Sequence, residues 1–456
     1  MPRLTFDISR FPLYGILLLA ALLRLGWPAL TEFKADEARL LALALDMAEF
    51  KSFALRGIGA SVGLPNFPMS VWLYSMPLFG WKHPYSATLF LGALNTLAVY
   101  VCYRLTRRYW GEAAALTAAL MFAVSPWAVI YSRKIWAQNL LPLFVLAYVG
   151  AALAAFVDRK RWFLFLHFVA LAVVIQIHLS GLAFIPLTLI LLVIFREYSR
   201  AAWKEIVLGL VAAGLTTVPF GIWVAQNANG GASLIANLLS RPAILSADSI
   251  RFAWMVLCGF DIHSLAGPNA FRDYLNSVPN IDLIRWLWGL ASLAGLGVAL
   301  RRHQPADLVA SLWFVTPILF FVRHSTPLFP HYFIITLPAG YILAGVAVNF
   351  VFTARGQRNH EKIPSRLRGV LFGLTIAGAA VAQMAAWLAL LFFVAGRETP
   401  GGFGTPLGAL LKTADAAKAA MAQRSLPEIL AIGEGDDPGV AEFPAVMAAL
   451  LRDVPH

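Results

Sequence analysis

The sequence predicts an all-α polytopic membrane protein with about eleven transmembrane helices, each of about 20 residues. The first observation is composition: of 456 residues, 59% are hydrophobic and only 13% are charged, with a mean hydropathy of +0.71. Soluble domains carry roughly 25% charged residues. The second observation is that long apolar runs recur along the whole chain. Most of the chain is therefore expected to lie in lipid.

The apolar runs define the predicted spans, since about 20 apolar residues cross the hydrocarbon core. The first run is too long, and too plainly followed by further spans, to be a cleaved signal peptide. The spans cover residues 11–30, 85–103, 113–131, 140–157, 162–179, 181–195, 206–225, 283–300, 308–322, 332–352 and 369–395.

Lys and Arg residues indicate the orientation, because cytoplasmic loops carry an excess of them. Alternate short loops are densely basic, with Arg3/Arg10, Arg104/Arg107/Arg108, Arg159/Lys160/Arg161, Arg196/Arg200/Lys204, Arg301/Arg302 and Arg355/Arg358/Lys362/Arg366/Arg368. The remaining loops are sparser, and these are 31–84, 132–139, 226–282, 323–331 and the tail after 396. We therefore expect a cell (inner) membrane protein with its N-terminus in the cytoplasm and its C-terminus outside.

The overall charge is consistent with a membrane protein. A net charge of +12 could indicate a nucleic-acid partner. The basic residues are instead spread over many short loops, as expected for positive cytoplasmic loops that face anionic headgroups. Cys102 and Cys258 lie in different regions, without metal-ligand or redox spacing. No nucleic-acid partner and no disulfide are expected.

The first outer loop holds two segments that are expected to lie at the membrane interface. Asp36–Phe50 has the pattern of an amphipathic helix. Asn66–Trp81 is apolar and aromatic but short, and Pro68 and Pro77 interrupt it. Such Trp- and Tyr-rich segments tend to lie along the interface. If residues 66–81 crossed the membrane, the later basic loops would fall outside, which argues against a crossing.

The chain is expected to divide into a catalytic transmembrane domain, residues 1–395, and a small extracytoplasmic segment, residues 396–456. Outer loop 226–282 is long enough to indicate a folded or functional loop. After the last span, Gly and Pro residues precede further predicted elements. These are a helix over Leu407–Gln423, a short strand over Glu428–Ile432 and a closing helix over Val440–Leu451.

Ionisable residues beside spans are candidates for function because they are costly in a membrane. Those expected in the outer layer are Asp36, Glu37, Arg39, Arg133, Lys134, Gln138, Asn139, Gln176, His178, Arg323, His324 and His331. Each has an ordinary alternative. Asp36 and Glu37 could cap a helix N-terminus, and Arg133, Lys134 and Arg24 could reach toward headgroups. Together, however, the residues from four loops would form one outward cavity.

Carboxylates beside fixed cations at a lipid boundary suit transfer from a lipid-linked phosphate donor. Arg and Lys would hold the phosphate and stabilise it as a leaving group. A carboxylate would act as general base on the acceptor hydroxyl. Apolar grooves among the interfacial segments would take the prenyl chain.

Several local motifs carry a family resemblance. They are the Asp-Glu-Ala-Arg pattern at 36–39, the segment 66–81, the Arg-containing segment after Ser125-Pro126, and His331-Tyr-Phe…Pro338. They resemble the GT-C superfamily, and more narrowly bacterial protein O-mannosyltransferases and lipid A aminoarabinose transferases. The resemblance covers roughly residues 1–350, mostly as hydropathy and spacing. It implies a polyprenyl-phosphate-sugar donor and an acidic catalytic residue in the first outer loop.

One departure from the resemblance bears on metal and acceptor. In the aminoarabinose transferases a Glu-Lys pair precedes the Pro of the interfacial segment and contributes to metal and phosphate binding. This chain has Asn66-Phe67 before Pro68. The departure argues against lipid A as acceptor and leaves a divalent metal open, with no cofactor assigned.

The predicted function is that of an inverting, polyprenyl-phosphate-sugar-dependent glycosyltransferase with a protein, lipid or glycan acceptor. Asp36 is the first choice for general base, with Glu37 its partner. The expected donor-phosphate contacts are Arg39, Arg133 and Lys134, and the expected sugar or acceptor contacts are Gln138, Asn139, His178 and His331. A transporter or lipid flippase with the same outer ionisable site is the main alternative. A membrane scaffold, with Asp36 and Glu37 as caps, is a third.

Overall fold

The computed structural model describes residues 11–60, 64–227, 236, 240–355, 365–435, 437–439 and 441–454. Within these residues, α-helices form nearly all of the regular structure. They are α1 (Phe11–Leu25), α2 (Ala35–Ala48), α3 (Met69–Gly80), α4 (Pro84–Trp110), α5 (Glu112–Val124), α6 (Pro126–Tyr131), α7 (Leu141–Ala152), α8 (Trp162–Ile177), α9 (Phe184–Ile194), α10 (Arg196–Ala201), α11 (Trp203–Gln226), α12 (Asp248–Cys258), α13 (Phe271–Ser277), α14 (Asp282–Arg302), α15 (Pro305–Phe320), α16 (Leu337–Arg355), α17 (Ser365–Ala395), α18 (Leu407–Arg424) and α19 (Glu442–Leu450).

Shorter elements interrupt or join these helices. The 3-10 helices are Ala137–Leu140, Leu179–Ala183, Ile262–Ala266 and Pro330–Thr336, and a π-helical turn covers Leu153–Val157. Strands β1 (Ile244–Leu245) and β2 (Arg323–His324) form an antiparallel pair. Arg3, Arg10, Arg358 and Lys362, which support the predicted orientation, lie outside the described residues.

The apolar segments confirm an all-α integral membrane protein. In the part of the chain that the structure describes, six helical stretches are long and apolar enough to cross a membrane, namely Pro84–Trp110, Ala137–Val157, Trp203–Gln226, Asp282–Arg302, Pro330–Val351 and Gly373–Ala395. Shorter apolar helices occupy the other predicted spans, at Phe11–Leu25, Glu112–Val124, Trp162–Ile177, Leu179–Ile194 and Pro305–Phe320. The total of eleven crossings, their orientation and the division after residue 395 stay predictions.

Helix α16 lies at the centre of the bundle. The apolar window of Pro330–Val351 is 83% buried, whereas that of Trp203–Gln226 is 6% buried. The first therefore packs against protein on nearly all sides and the second faces outward. Two glycines allow close helix approach, because a Cβ on Gly345 would overlap the Ala114 carbonyl oxygen of α5. A Cβ on Gly295 of α14 would overlap the Leu343 carbonyl oxygen of α16. Small residues commonly permit such contacts in membranes.

This packing predicts that alanine substitution destabilises the protein at Gly295 of α14 but not at Gly297. Gly295→Ala forces α14 away from α16, and overpacking of this kind costs about 1–3 kcal/mol. A Cβ on Gly297 would have no neighbouring atom within 4 Å, so Gly297→Ala supplies the control. Thermal unfolding in detergent should show a lower midpoint for Gly295→Ala only. Equal midpoints for the two variants would contradict the close approach.

Arg24 does not reach toward headgroups, so that expectation is wrong. Its side chain is 1% exposed. The guanidinium donates to the carbonyl oxygens of Phe122 at 2.7 Å and Ala123 at 2.8 Å. These carbonyls belong to the last turn of α5, which has no further helical N–H to satisfy them. Arg24 therefore joins α1 to the end of α5.

The first loop and the C-terminal segment largely follow the predicted helices. Helices α2 and α3 occupy the two predicted interfacial segments, and α18 and α19 occupy the two predicted C-terminal helices. The strand expected over Glu428–Ile432 is wrong, because these residues have no regular structure. Leu430 and Ile432 are exposed. No neighbouring strand in the described part of the segment offers these residues a hydrogen-bonded edge.

Candidate functional site

A cavity of about 990 Å³ opens where four of the predicted outer loops meet. Its polar wall includes Asp36, Asn66, Gln138, His178, Ser180, Arg241, Arg323, His324 and His331. Its apolar wall includes five aromatic side chains, Trp136, Phe320, Phe321, Phe329 and Tyr332. Of the residues that the sequence singled out for the site, Asp36, Gln138, His178 and His331 line this cavity.

Asp36 and Glu37 are adjacent in sequence but lie in different environments. Both belong to the first turn of α2, where successive side chains point about 100° apart. The Asp36 side chain is 44% exposed, and its Oδ2 accepts a hydrogen bond from Trp136 Nε1 at 3.2 Å. The Glu37 side chain is 1% exposed, and its Oε2 accepts from the Lys34 backbone N–H at 2.9 Å. Glu37 thus stabilises the helix N-terminus, while Asp36 faces the cavity.

A cluster of four charged side chains lies at the start of α2, with Lys34 27% exposed and the other three buried. Lys134 Nζ is 2.9 Å from Glu37 Oε1 and 3.0 Å from Glu32 Oε1. Lys34 Nζ lies 2.8 Å from the same Glu32 oxygen. Two carboxylates and two ammonium groups therefore balance one another. This balance is what allows the charges to remain buried.

The cluster sets the pKa values of its members. Burial favours a raised pKa for Glu32, but the charges of Lys134 and Lys34 outweigh it and hold the pKa below its usual value. Burial raises the pKa of Glu37, more than Lys134 lowers it, and the Glu32 charge adds to the rise. Burial opposes the charge on Lys134, yet Glu32 and Glu37 together raise its pKa. Lys134 therefore stays protonated.

Arg133 is also engaged by the protein. Its guanidinium donates to the carbonyl oxygens of Leu23 at 2.9 Å, Gly26 at 2.6 Å and Trp27 at 2.8 Å. It also lies over the Trp387 ring, 5.4 Å from the centroid. Leu23 lies in the last turn of α1, and Gly26 and Trp27 follow that helix. Carbonyl oxygens at a helix C-terminus have no helical N–H to pair with. Arg133 holds the end of α1 in place and does not line the cavity.

Arg39 and Asn139 likewise make contacts within the protein. Arg39 Nη1 lies 3.5 Å from Asp36 Oδ1, while its Nε donates to the Pro438 carbonyl oxygen at 2.8 Å. The Asn139 side chain donates to the Lys134 carbonyl oxygen at 2.8 Å. Both residues lie beside the cavity wall, one next to Asp36 and the other next to Lys134.

His178 and His331 form part of an aromatic wall. The His331 ring lies 4.4 Å from the Trp136 ring and is stacked on Phe329 at 5.5 Å. His178 Nδ1 accepts from the Ser180 backbone N–H at 3.2 Å. In the neutral ring, this leaves Nε2 as the donor. The wall therefore combines flat apolar faces with an imidazole N–H donor.

Arg241 and Arg323 were given no site role by the sequence, although Arg323 was noted among the outer polar residues. They reach the same wall because β1 pairs with β2, with Leu245 opposite Arg323 and Ile244 opposite His324. Each strand has two residues. No periodicity marks strands that short, so the sequence offered no signal for this pairing.

Metal binding receives no support from the side-chain geometry. Among the described residues, no group of three or more His, Cys, Asp or Glu side chains is placed to hold a metal ion. Within the described lining of the cavity, Asp36 is the one carboxylate. No cofactor is assigned on this basis.

Solved structures share the fold of this chain. ArnT from Cupriavidus metallidurans bound to undecaprenyl phosphate aligns with a TM-score of 0.63 and 18% identity, over 97% of this chain and 84% of that chain. ArnT from the same organism in the apo state aligns with a TM-score of 0.62 and 17% identity, over 98% of this chain and 84% of that chain. An Archaeoglobus fulgidus oligosaccharyltransferase tethered with an acceptor peptide aligns with a TM-score of 0.51 and 12% identity. The alignment covers 97% of this chain and 63% of that chain.

No family model and no curated protein matches the sequence. The structural matches confirm the resemblance at the level of the fold, across nearly the whole chain rather than its first 350 residues. The chain is a membrane protein that shares its overall fold with ArnT and with the archaeal oligosaccharyltransferase.

Proposed function

We propose that this protein is a membrane glycosyltransferase that moves a sugar from a polyprenyl-phosphate donor to an acceptor hydroxyl. The observation that carries the proposal is a single cavity with an accessible carboxylate, Asp36, and two arginines, Arg241 and Arg323. The structural likeness to ArnT bound to undecaprenyl phosphate supports a lipid-phosphate donor. The cavity faces the extracytoplasmic side in the orientation that the basic loops predict.

Asp36 is the proposed general base. Its partly exposed carboxylate can reach an acceptor hydroxyl, and the Trp136 N–H and Arg39 fix its orientation. Glu37 is proposed as a positioning residue, because its oxygens are taken by Lys34 and Lys134. A base must come within hydrogen-bond reach of the proton that it removes. Of the two carboxylates, it is Asp36 that lines the cavity, which supports its assignment as the base.

Arg241 and Arg323 are the proposed contacts for the donor phosphate. Arginine binds phosphate through parallel N–H donors. Arg133 and Lys134 are proposed in supporting roles, since carbonyls and carboxylates occupy their donors. Arg39 is not proposed to contact the donor phosphate directly. Its proposed effect on the site is to hold Asp36 and α2 in place.

The proposed reaction is a single displacement. The acceptor O–H gives its proton to Asp36 as its oxygen bonds to the anomeric carbon, and the bond from that carbon to the phosphate oxygen breaks. The phosphate leaves with the bonding electrons, stabilised by the arginines. One displacement inverts the anomeric centre. Gln138, His178 and His331 would contact the sugar or acceptor, while Asn139 holds Lys134.

The charges that line the cavity also predict which donor sugars the protein prefers. Two arginines against one carboxylate among the described lining residues disfavour a protonated amino sugar. We therefore expect donors with uncharged sugars to be preferred. The test measures polyprenyl-phosphate release by reconstituted protein from a panel of neutral-sugar and amino-sugar donors, with a crude membrane extract as acceptor source. Preference for the amino sugar would contradict the charge argument, and no release with verified acceptors would contradict transfer itself.

The arginine assignment predicts a binding defect. Arg241→Gln and Arg323→Gln should each raise the KM for the donor roughly 10- to 100-fold, since hydrogen bonds to a charged group contribute about 1.5–3 kcal/mol. Arg251→Gln is the matched control, because Arg251 pairs with Asp248 outside the cavity at 3.0 Å. Steady-state kinetics with one donor would check this. An unchanged KM in both cavity variants would remove the arginines from the phosphate site.

A further inference from the structure

The C-terminal segment, residues 396–454, contacts α2 and the residues before it at three separate places. These contacts matter because α2 has only 14 residues. A helix of about 12–15 residues is marginal in isolation, and its position must come from tertiary packing. Asp36 lies in its first turn, so whatever positions α2 also positions the proposed base.

The first contact lies just before α2. The Leu407 N–H donates to the Thr31 carbonyl oxygen at 2.8 Å, and the Gly408 N–H donates to the Ala29 carbonyl oxygen at 2.9 Å. Lys34, the residue that precedes α2, donates through Nζ to the Gly402 carbonyl oxygen at 2.5 Å. The chain entering α2 is therefore fixed by backbone pairing as well as by a side chain.

The second contact passes through Arg39. This side chain lies between the Asp36 carboxylate and the Pro438 carbonyl oxygen, and it also donates to the Ala441 carbonyl oxygen at 3.4 Å. One guanidinium thus links the proposed base directly to the C-terminal segment.

The third contact fixes the far end of α2. Arg452 Nη2 is 2.8 Å from both Asp46 Oδ1 and Glu49 Oε2, and its Nη1 donates to the Ala42 carbonyl oxygen at 3.4 Å. All of these partners lie on the last turns of α2 or directly after it. The preceding helix, α19, buries Ala445, Val446, Ala449 and Leu450.

We infer that the C-terminal segment is a positioning element of the site, holding α2 through Lys34, Arg39 and Arg452 so that Asp36 faces the cavity. The inference concerning catalysis rests on the proposed function. The part that concerns α2 does not, and it can be measured without substrate.

The test uses the full-length protein in detergent or liposomes. Arg452→Gln removes the third contact, and the double variant Asp46→Asn/Glu49→Gln removes it from the other side. Lys418→Gln is the matched control, because it removes the Lys418–Asp453 pair within the C-terminal segment, an ion pair that does not involve α2. Arg452→Lys retains the charge as a rescue variant. The readouts are amide hydrogen exchange over residues 35–48 and separate kcat and KM values.

We expect faster exchange in α2 and a roughly tenfold lower kcat for Arg452→Gln and for the double variant, since displacing a catalytic group by about 1 Å can cost 100-fold. The donor KM should change little, and Arg452→Lys should recover most of both losses. Lys418→Gln should resemble wild type. Unchanged exchange in α2, or an equal effect of Lys418→Gln, would overturn the inference. Absence of transfer by wild type would instead refute the proposed function, with the exchange result still deciding whether the segment holds α2.

Discussion

Exchange of Asp36 for Asn is expected to lower the rate of transfer by roughly 10²–10⁴-fold, the usual contribution of a general base. The side chain keeps its size, and the amide oxygen of the asparagine can still accept from Trp136 Nε1, so folding should be preserved. The loss should fall on kcat, because the proposed donor-phosphate contacts, Arg241 and Arg323, lie elsewhere in the cavity wall. Polyprenyl-phosphate release by the purified variant in liposomes measures the effect.

Asp248 provides a closely matched control for this variant. Like Asp36, it lies in the first turn of a helix, pairs with an arginine three residues later and has a side chain that is 44% exposed. It does not line the cavity. Asp248→Asn should therefore transfer sugar like wild type. A fully active Asp36→Asn would show that another group accepts the proton and would remove Asp36 from the proposed mechanism.

Replacement of Lys134 with Met is expected to cost about 3–5 kcal/mol of stability, the usual consequence of removing one partner from a buried ion pair. Glu32 and Glu37 would then face each other across a buried space with one positive neighbour fewer. The triple variant Lys134→Met/Glu32→Gln/Glu37→Gln removes both carboxylates together with Lys134, leaves the partly exposed Lys34 as the remaining charge of the cluster, and should regain much of the loss. Denaturant unfolding in detergent compares the three proteins, and equal losses for the single and triple variants would contradict the charge-balance argument.

The same cluster predicts how pH affects the variants. Glu32 has a lowered pKa in the folded protein, so it stabilises the fold above its unfolded pKa, and this stabilisation is lost as pH falls through the folded pKa. Glu37 has a raised pKa in the folded protein, so its ionisation destabilises the fold as pH rises above its unfolded pKa. Its contribution therefore has the opposite sign to that of Glu32. In Lys134→Met the stability deficit should be largest near neutral pH and should shrink on acidification, because protonation neutralises the two carboxylates that have lost Lys134. Denaturant unfolding of both proteins across a pH series measures this difference.

Much of the fold could be predicted from the sequence, because it depends on residues that are close together in the chain. Apolar runs, basic loops and the two interfacial segments each depend on neighbours within about 20 residues, the length that crosses a bilayer. The Asp-Glu pair of the first outer loop, taken with the polar residues of three further loops, likewise led to the prediction of a site there. Burial inside a bundle is less local: Arg24 looks like a residue that reaches the interface, yet it joins α1 to α5.

Composition and hydropathy were enough to predict a membrane protein and its helical segments. Which carboxylate is accessible follows from the packing of the helices, since it depends on how α2 is rotated against its neighbours. The tertiary structure also showed that Arg133 and Lys134 are occupied by protein partners, and that a ladder of two residues per strand brings Arg323 to the cavity beside Arg241. The reason is physical: hydropathy records which residues prefer lipid, whereas polar side chains take their roles from partners that are distant in sequence, as Arg39 and Pro438 are at a separation of 399.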